Sequence, residues 1–151
     1  MIATNGSLGA PSREMIDTNV LVYAVDRSSG LKHRIASDLL DDLVARDVLT
    51  VSAQVLNEFY SVVTRKKGLM LHEDAVRYIR AAAAASVVLP LTLSGTLLAL
   101  EAVARHGFSF WDALIGSAAR EGGISTLDTE DFPHGREIEG VRIVDPFAVA
   151  S

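Results

Sequence analysis

Two periods of hydrophobic residues run through the chain. Residues 15–25 are apolar and rich in β-branched side chains, broken once by Asp17-Thr18-Asn19. Met15 and Ile16 suit a short buried strand. For residues 20–25, Val-Leu-Val-Tyr-Ala-Val, periodicity alone admits either strand or helix. Residues 26–30 carry turn chemistry. A 3.6-residue period then takes over, placing Ile35, Leu39, Leu40, Leu43 and Val44 on one helical face across residues 32–46. Residues 48–51 form a short strand, and Ser52 is placed to cap a helix over 53–67 that Gly68 ends. Residues 72–86 are helical. Residues 87–93 are strand-like, and Pro90 puts that strand at a sheet edge or bulge. Ser94 or Thr96 is expected to cap a helix that ends at His106 before Gly107. Ser109 caps the next, which runs to Arg120 and stops at Gly122-Gly123. Residues 124–127 read as strand, 131–140 as loop and 141–144 as a last strand closed by Asp145-Pro146.

Short apolar strands alternating with helices indicate an α/β fold with a short central parallel sheet flanked by helices. The run of five alanines at 81–85 is expected to let helices approach closely. One domain is expected over residues 15–148, of ordinary size for a 151-residue chain. Residues 1–14, rich in small and polar side chains, are expected to be a loosely ordered extension. Met15 is a second candidate start. That segment lacks the basic start and apolar core of a signal peptide. The longest apolar stretch, 81–93, is interrupted by Ser86, Pro90 and Thr92 and is too short to span a bilayer. A cytoplasmic location follows as the expectation.

Composition narrows the chemistry. The chain has no cysteine, which excludes disulfides, thiol nucleophiles, iron–sulfur clusters and cysteine-held zinc. Net charge is −5, so a nucleic-acid ligand would need a local basic patch or a bound cation. Arg65-Lys66-Lys67 is the compact basic run, suited to a backbone contact and equally to a solvated helix end. The four histidines are scattered without metal-ligand spacing, and the glycine-rich phosphate loops and the Gly-x-Ser-x-Gly elbow are absent. Trp111 is expected as a core or interface aromatic, with base stacking as its alternative.

Acidic residues at strand ends carry the remaining signal, because open α/β sheets bind ligands beyond the carboxyl ends of their strands. Asp17 closes the first strand, where it could equally cap the segment starting at Thr18. Asp131 falls just past the strand over 124–127. Glu58 sits at the edge of the apolar stripe Val55-Phe59-Val62-Val63. Arg65 lies two turns further along, near enough to line the same groove. Asp112 follows Ser109 at capping-box spacing, and Gly116 leaves room beside it. Singly, each acid has a bland reading as cap, boundary residue or loop acid. Together, two strand-end acids and two helix acids can form one site. Gathered carboxylates repel each other, and a hard divalent cation, Mg2+ or Mn2+, relieves that repulsion.

Five stretches in order resemble PIN-domain ribonucleases, and among them the VapC toxins of type II toxin–antitoxin pairs. They are Ile16-Asp17-Thr18-Asn19-Val20-Leu21, Asn57-Glu58-Phe59, Phe110-Trp111-Asp112-Ala113-Leu114-Ile115, Thr129-Glu130-Asp131-Phe132 and the ending Gly140-Val141-Arg142-Ile143-Val144-Asp145-Pro146-Phe147. The resemblance implies a PIN-like fold and a helix over 20–25. It implies that Asp17, Glu58, Asp112 and Asp131 hold Mg2+ or Mn2+ and activate a water that cleaves an RNA phosphodiester. Asp17 and Asp112 would be the most direct ligands. Thr129 matches a hydroxyl that orients substrate or an acid. A homodimer and inhibition by a cognate antitoxin protein are also implied. Asp128 adds a competing acid, and the family's spacing favours Asp131. The alternatives are a PIN nuclease of RNA maturation without an antitoxin, and a non-catalytic RNA- or protein-binding module, against which the presence of all four acids argues. A phospho-accepting receiver domain fits poorly, because Asp17-Thr18-Asn19 lacks its adjacent acids.

Overall fold

Each strand is a run of two to four residues, and the two at the centre of the sheet end on or just before a polar side chain. The computed structural model describes residues 12–148. Its strands are β1 (Glu14–Ile16), β2 (Leu49–Ser52), β3 (Val87–Leu89), β4 (Thr126–Asp128), β5 (Glu137–Ile138) and β6 (Val141–Val144). They form one sheet in the order β3-β2-β1-β4-β6-β5, parallel except for the β5–β6 hairpin. Ile16 pairs with Asp128, so β1 and β4 finish level. The residues that follow, Asp17 and Thr129, emerge side by side. Strand order reverses between β1 and β4, which makes their carboxyl ends the switch point of the sheet.

Among the described residues six α-helices flank the sheet: α1 (Thr18–Tyr23), α2 (Leu31–Ala45), α3 (Ala53–Ser61), α4 (His72–Ala84), α5 (Leu93–His106) and α6 (Phe110–Glu121). The β-branched run after Asp17 is helix, as the family resemblance implies, because Asp17 caps it by accepting from the Thr18 N–H at 2.6 Å. Ser52 caps α3 through the Val55 N–H at 3.2 Å. The expected long helix over 53–67 instead splits. After Ser61 a π-helical turn, Val62–Lys66, carries the Lys67 N–H to the Val62 carbonyl at 2.8 Å. In the same segment the Thr64 hydroxyl bonds back to the Tyr60 carbonyl at 2.6 Å, a contact that bends helices.

Four further expectations change. Thr92, not Ser94 or Thr96, caps α5, accepting from the Gly95 N–H at 2.9 Å and donating to Glu121 at 2.6 Å. The expected loop over 131–140 contains β5. The β5–β6 turn puts Glu139 at φ 51° and Gly140 at φ 87°, and Glu139 is held there by Arg105 and by Arg120 at 2.8 Å. Strand pairing starts at Glu14, and Arg13 donates to Thr50 at 2.9 Å and to the Leu49 carbonyl at 2.7 Å. Of the expected loose extension, residues 1–11 lie outside the described residues. The alanines do not bring α4 tightly onto α2. Ala81, Ala82 and Ala85 line a groove of about 470 Å3 together with Leu40, Val44 and Tyr78.

The main core gathers Met15, Ile16, Val51, Leu127 and Ile143 from the sheet with Leu43, Val55 and Phe59 from the helices. A second small cluster, Ala99, Ala102, Ala113 and Leu114, joins α5 to α6 through small side chains. The opposite face of α5 exposes Leu93, Leu97 and Leu100. β3 is an edge strand, as Pro90 requires. Among the described residues no helix is long and apolar enough to cross a membrane.

Candidate functional site

Asp17 stands at the switch point, directly after β1 and at the start of α1. Its carboxylate is 2% exposed and accepts two hydrogen bonds, from the Thr18 N–H at 2.6 Å and from the Thr129 hydroxyl at 2.8 Å. Burial pushes its pKa up to about 7 despite those bonds, and the charges of Asp131 and Glu58 add to the rise. A buried carboxylate with no cation against it is an unbalanced charge, which is the physical content of that shift.

Glu58 and Asp131 are brought beside it, and Asp112 beside Asp131. Glu58, half-buried on α3, accepts the Thr18 hydroxyl at 2.8 Å and the Gln54 amide at 2.9 Å. Asp131 is exposed on the loop after β4 and accepts the Asn19 amide at 3.1 Å. Its pKa is raised by burial first, then by Asp112, Glu130 and Glu58, while Asn19 pulls it down. Asp112 lies in the first turn of α6, its N–H bonded to Ser109 at 3.2 Å as the capping-box spacing requires. A cavity of about 30 Å3 opens beside Asp112, lined by Phe108, Gly116, Leu127 and Phe132. A Cβ at Gly116 would meet nothing within 4 Å. The cavity is large enough for about one water, but its lining is mostly apolar.

Neutral donors thread the cluster together. Thr18 joins α1 to Glu58. Thr129 bonds Asp17 with its hydroxyl and receives the Asp131 N–H at 3.0 Å, with the Asn19 amide at 3.4 Å. Glu130, between Thr129 and Asp131, is clamped by the Tyr23 hydroxyl at 2.7 Å and the Lys32 ammonium at 2.9 Å. Thr18, Asn19, Gln54, Tyr23 and Lys32 were not among the residues the sequence singled out. The Asp17-Thr18-Asn19 run was the visible signal for the first two. The others are set by contacts between remote elements.

Asp128 is separate from this group. It is the last residue of β4, 1% exposed, and its carboxyl pKa is raised by burial first and then by the neighbouring Glu14, while Arg46 opposes the rise. Glu14 and Arg46 belong to β1 and to the end of α2, so Asp128 faces that side of the sheet and Asp131 faces the other acids. Arg65 lies on the π turn, seven residues and roughly 10 Å along the axis from Glu58. It is exposed, and no hydrogen bond or ion pair joins it to the four acids among the described residues. Lys67 beside it pairs with Asp26 at 3.3 Å. Trp111 is 62% exposed, so of the two expected placements, core or interface, the core is excluded.

The donor set fits a hard cation. All four charged groups are oxygen ligands, and the Asn19 Oδ1 is a buried acceptor without a partner among the described residues. No three of the described acids or histidines are already gathered tightly enough to hold a metal as they stand.

A family model described as PIN domain matches residues 15–134. No curated protein sequence matches the chain. Among solved structures the chain is similar to Mycobacterium tuberculosis VapC20, described as a Sarcin-Ricin loop cleaving toxin, at 25% identity over 76% of this chain and 86% of that one, TM-score 0.60. It is also similar to a toxin–antitoxin complex from Klebsiella pneumoniae, at 18% identity over 88% of this chain and 97% of that one, TM-score 0.64. A third is DNA-bound VapBC from Salmonella typhimurium, at 17% identity over 90% of this chain and 99% of that one, TM-score 0.65. At 17 and 18% identity the last two likenesses concern the fold alone.

Proposed function

The chain belongs to the PIN domain family, and on that footing we propose that it is a divalent-metal-dependent endoribonuclease, the toxin of a toxin–antitoxin pair. The observation that carries this reading is the hydrogen-bond network that gathers the acids: Thr129 joins Asp17 to Asp131, Thr18 beside Asp17 holds Glu58, and Gln54 ties Glu58 to the peptide before Asp112. Asp131 and Glu58 act on Asp17, and Asp112 and Glu58 act on Asp131. Asp17 and Asp112 would be the direct ligands of Mg2+ or Mn2+, with Glu58 and Asp131 completing the site. When bound, such a cation supplies positive charge against the scissile phosphate and makes its water more acidic. The chain's own residues do the positioning. Thr129 fixes the Asp17 carboxylate and the Asp131 backbone, Asn19 orients the Asp131 carboxylate, and Thr18 holds Glu58. Arg65, with Lys66 and Lys67 after it, would contact the RNA backbone. The cation reconciles a net charge of −5 with a polyanionic substrate.

RNA cleavage by the purified protein tests this. A mixed RNA pool is expected to be cut with Mg2+ or Mn2+ and left intact in EDTA. Asp131→Asn is expected to lower the rate roughly a hundredfold, about 3 kcal/mol of barrier, while Asp128→Asn stays within a few-fold of wild type. Cleavage that persists in EDTA would contradict the reading.

The partners are proposals on the same footing: an antitoxin protein that covers the acidic cleft, and a second copy of the chain. The exposed face of α5 supports the dimer. Leu93, Leu97 and Leu100, 75, 53 and 52% exposed, recur at the four-and-three spacing of a helix–helix seam. Leu97→Glu is expected to shift the mass in sedimentation from dimer to monomer without unfolding α5. A dimer that survives both Leu97→Glu and Leu100→Glu would place the contact elsewhere.

A further inference from the structure

Gln54 lies in the first turn of α3, one turn before Glu58, and is 4% exposed. Its amide nitrogen donates to Glu58 Oε1 at 2.9 Å and to the Trp111 carbonyl at 3.2 Å. Both N–H bonds are therefore committed, one to an acid of the cleft and one to the peptide that precedes another, Asp112. Strand register sets the relative position of Asp17 and Thr129. No strand sets Glu58 against Asp112, because both ride on helices. Gln54 is the hydrogen-bonded tie between those helices at the level of the two acids.

The chemistry of the side chain is specific to this task. A lysine would reach Glu58 but would neutralise it and compete with a cation. An apolar residue would leave one oxygen of a half-buried carboxylate short of a donor and would lose the tie to the Trp111 carbonyl. An amide donates twice and adds no charge. Its own oxygen, Oε1, is buried and has no partner among the described residues, as is the Oδ1 of Asn19 at the other side of the cleft. A buried carbonyl left without a donor is costly. Water held on a cation is a strengthened donor and a weakened acceptor, so two open amide oxygens are suited to receive its hydrogens.

We propose that Gln54 is a positioning residue of the metal site, fixing the separation of Glu58 from Asp112 with two uncharged hydrogen bonds. The inference rests on the four acids being a cation site. It is tested by Mn2+ titration of the full-length, metal-free protein in calorimetry, without RNA, alongside thermal melts of the same samples in EDTA. Gln54→Met keeps the shape and removes both donors. Gln54→Lys keeps a donor to Glu58 and adds charge. Gln54→Met is expected to weaken Mn2+ binding roughly ten- to a hundredfold, the usual effect of removing a group that orients a ligand. Gln54→Lys is expected to weaken it further, although its melt in EDTA is at least as high as that of Gln54→Met. A merely structural role would lower the melt and leave the Mn2+ affinity of the folded protein alone. Mn2+ affinity within twofold of wild type in both variants, with Asp17→Asn failing to bind, would overturn the role of Gln54 and leave the site standing. Unchanged binding in Asp17→Asn as well would overturn the site itself.

Discussion

Asp17→Asn is expected to abolish metal-dependent RNA cleavage and to make the metal-free protein more stable. The two effects share a cause. Asp17 is the most buried of the four acids, and its neighbours are negative. Without a cation its ionised form is disfavoured. Asparagine keeps the size and the cap: its oxygen still receives the Thr18 N–H, and the Thr129 hydroxyl can turn to accept from the new amide. The substitution removes the repulsion and also the ligand. Cleavage is expected to fall by at least about a thousandfold, roughly 4 kcal/mol of barrier. Thermal melts in EDTA at pH 8 are expected to rise for the variant. A residue that served only as a helix cap would give the opposite pattern, with activity retained and stability unchanged or lower. A variant that cleaves RNA at the wild-type rate would remove Asp17 from the mechanism.

The second large effect is on pH. The folded pKa of Asp17, about 7, stands above its ordinary value of 3.8. Below pH 4 the group is protonated in both the folded and the unfolded chain, and burial carries no penalty. Between pH 4 and 7 the unfolded chain loses that proton while the folded one keeps it, so stability falls as pH rises. Above pH 7 both forms are ionised and the loss is complete, on the order of 4 kcal/mol at most. The metal-free protein is therefore expected to melt lower at pH 8 than at pH 5 on this group's account. Added Mn2+ is expected to raise the melt far more at pH 8, because only the ionised carboxylate holds it. In Asp17→Asn the slope between pH 4 and 7 is expected to flatten. Equal Mn2+ stabilisation at pH 5 and pH 8 would contradict the assignment.

The large features of the fold were legible because they follow from local chemistry. Ser52 and Ser109 announce the helices they cap, and Pro90 put its strand at the edge. What escaped notice depends on remote contacts. β5 is two residues long and exists only because β6 pairs with it. Thr92 caps α5 in place of Ser94, and its hydroxyl also reaches Glu121 at the end of α6. The split of the helix after Ser61 was invisible to periodicity, since a π turn shifts the pattern by a single residue. Of the four candidate acids, Asp17 and Asp112 stand out in the sequence because they open elements, Asp17 as the cap of α1 and Asp112 in the first turn of α6. The donors that organise the four do not stand out, except for Thr129, which the family resemblance marked, and Thr18 and Asn19 beside Asp17. Gln54 and Tyr23 look like any helix residue until α6 and the loop after β4 are folded against them. The pairing of Asp128 with Glu14 and Arg46 separates it from Asp131, which spacing alone had only favoured.

The most direct test of the four-carboxylate account is a crystal of the full chain soaked in Mn2+, with the metal located by anomalous scattering. The account predicts a peak between Asp17 and Asp112, within ligand distance of both, with Glu58 and Asp131 around it, and loss of that peak in Asp17→Asn. A peak confined to another part of the molecule, such as the Asp128 and Glu14 pair, would contradict it.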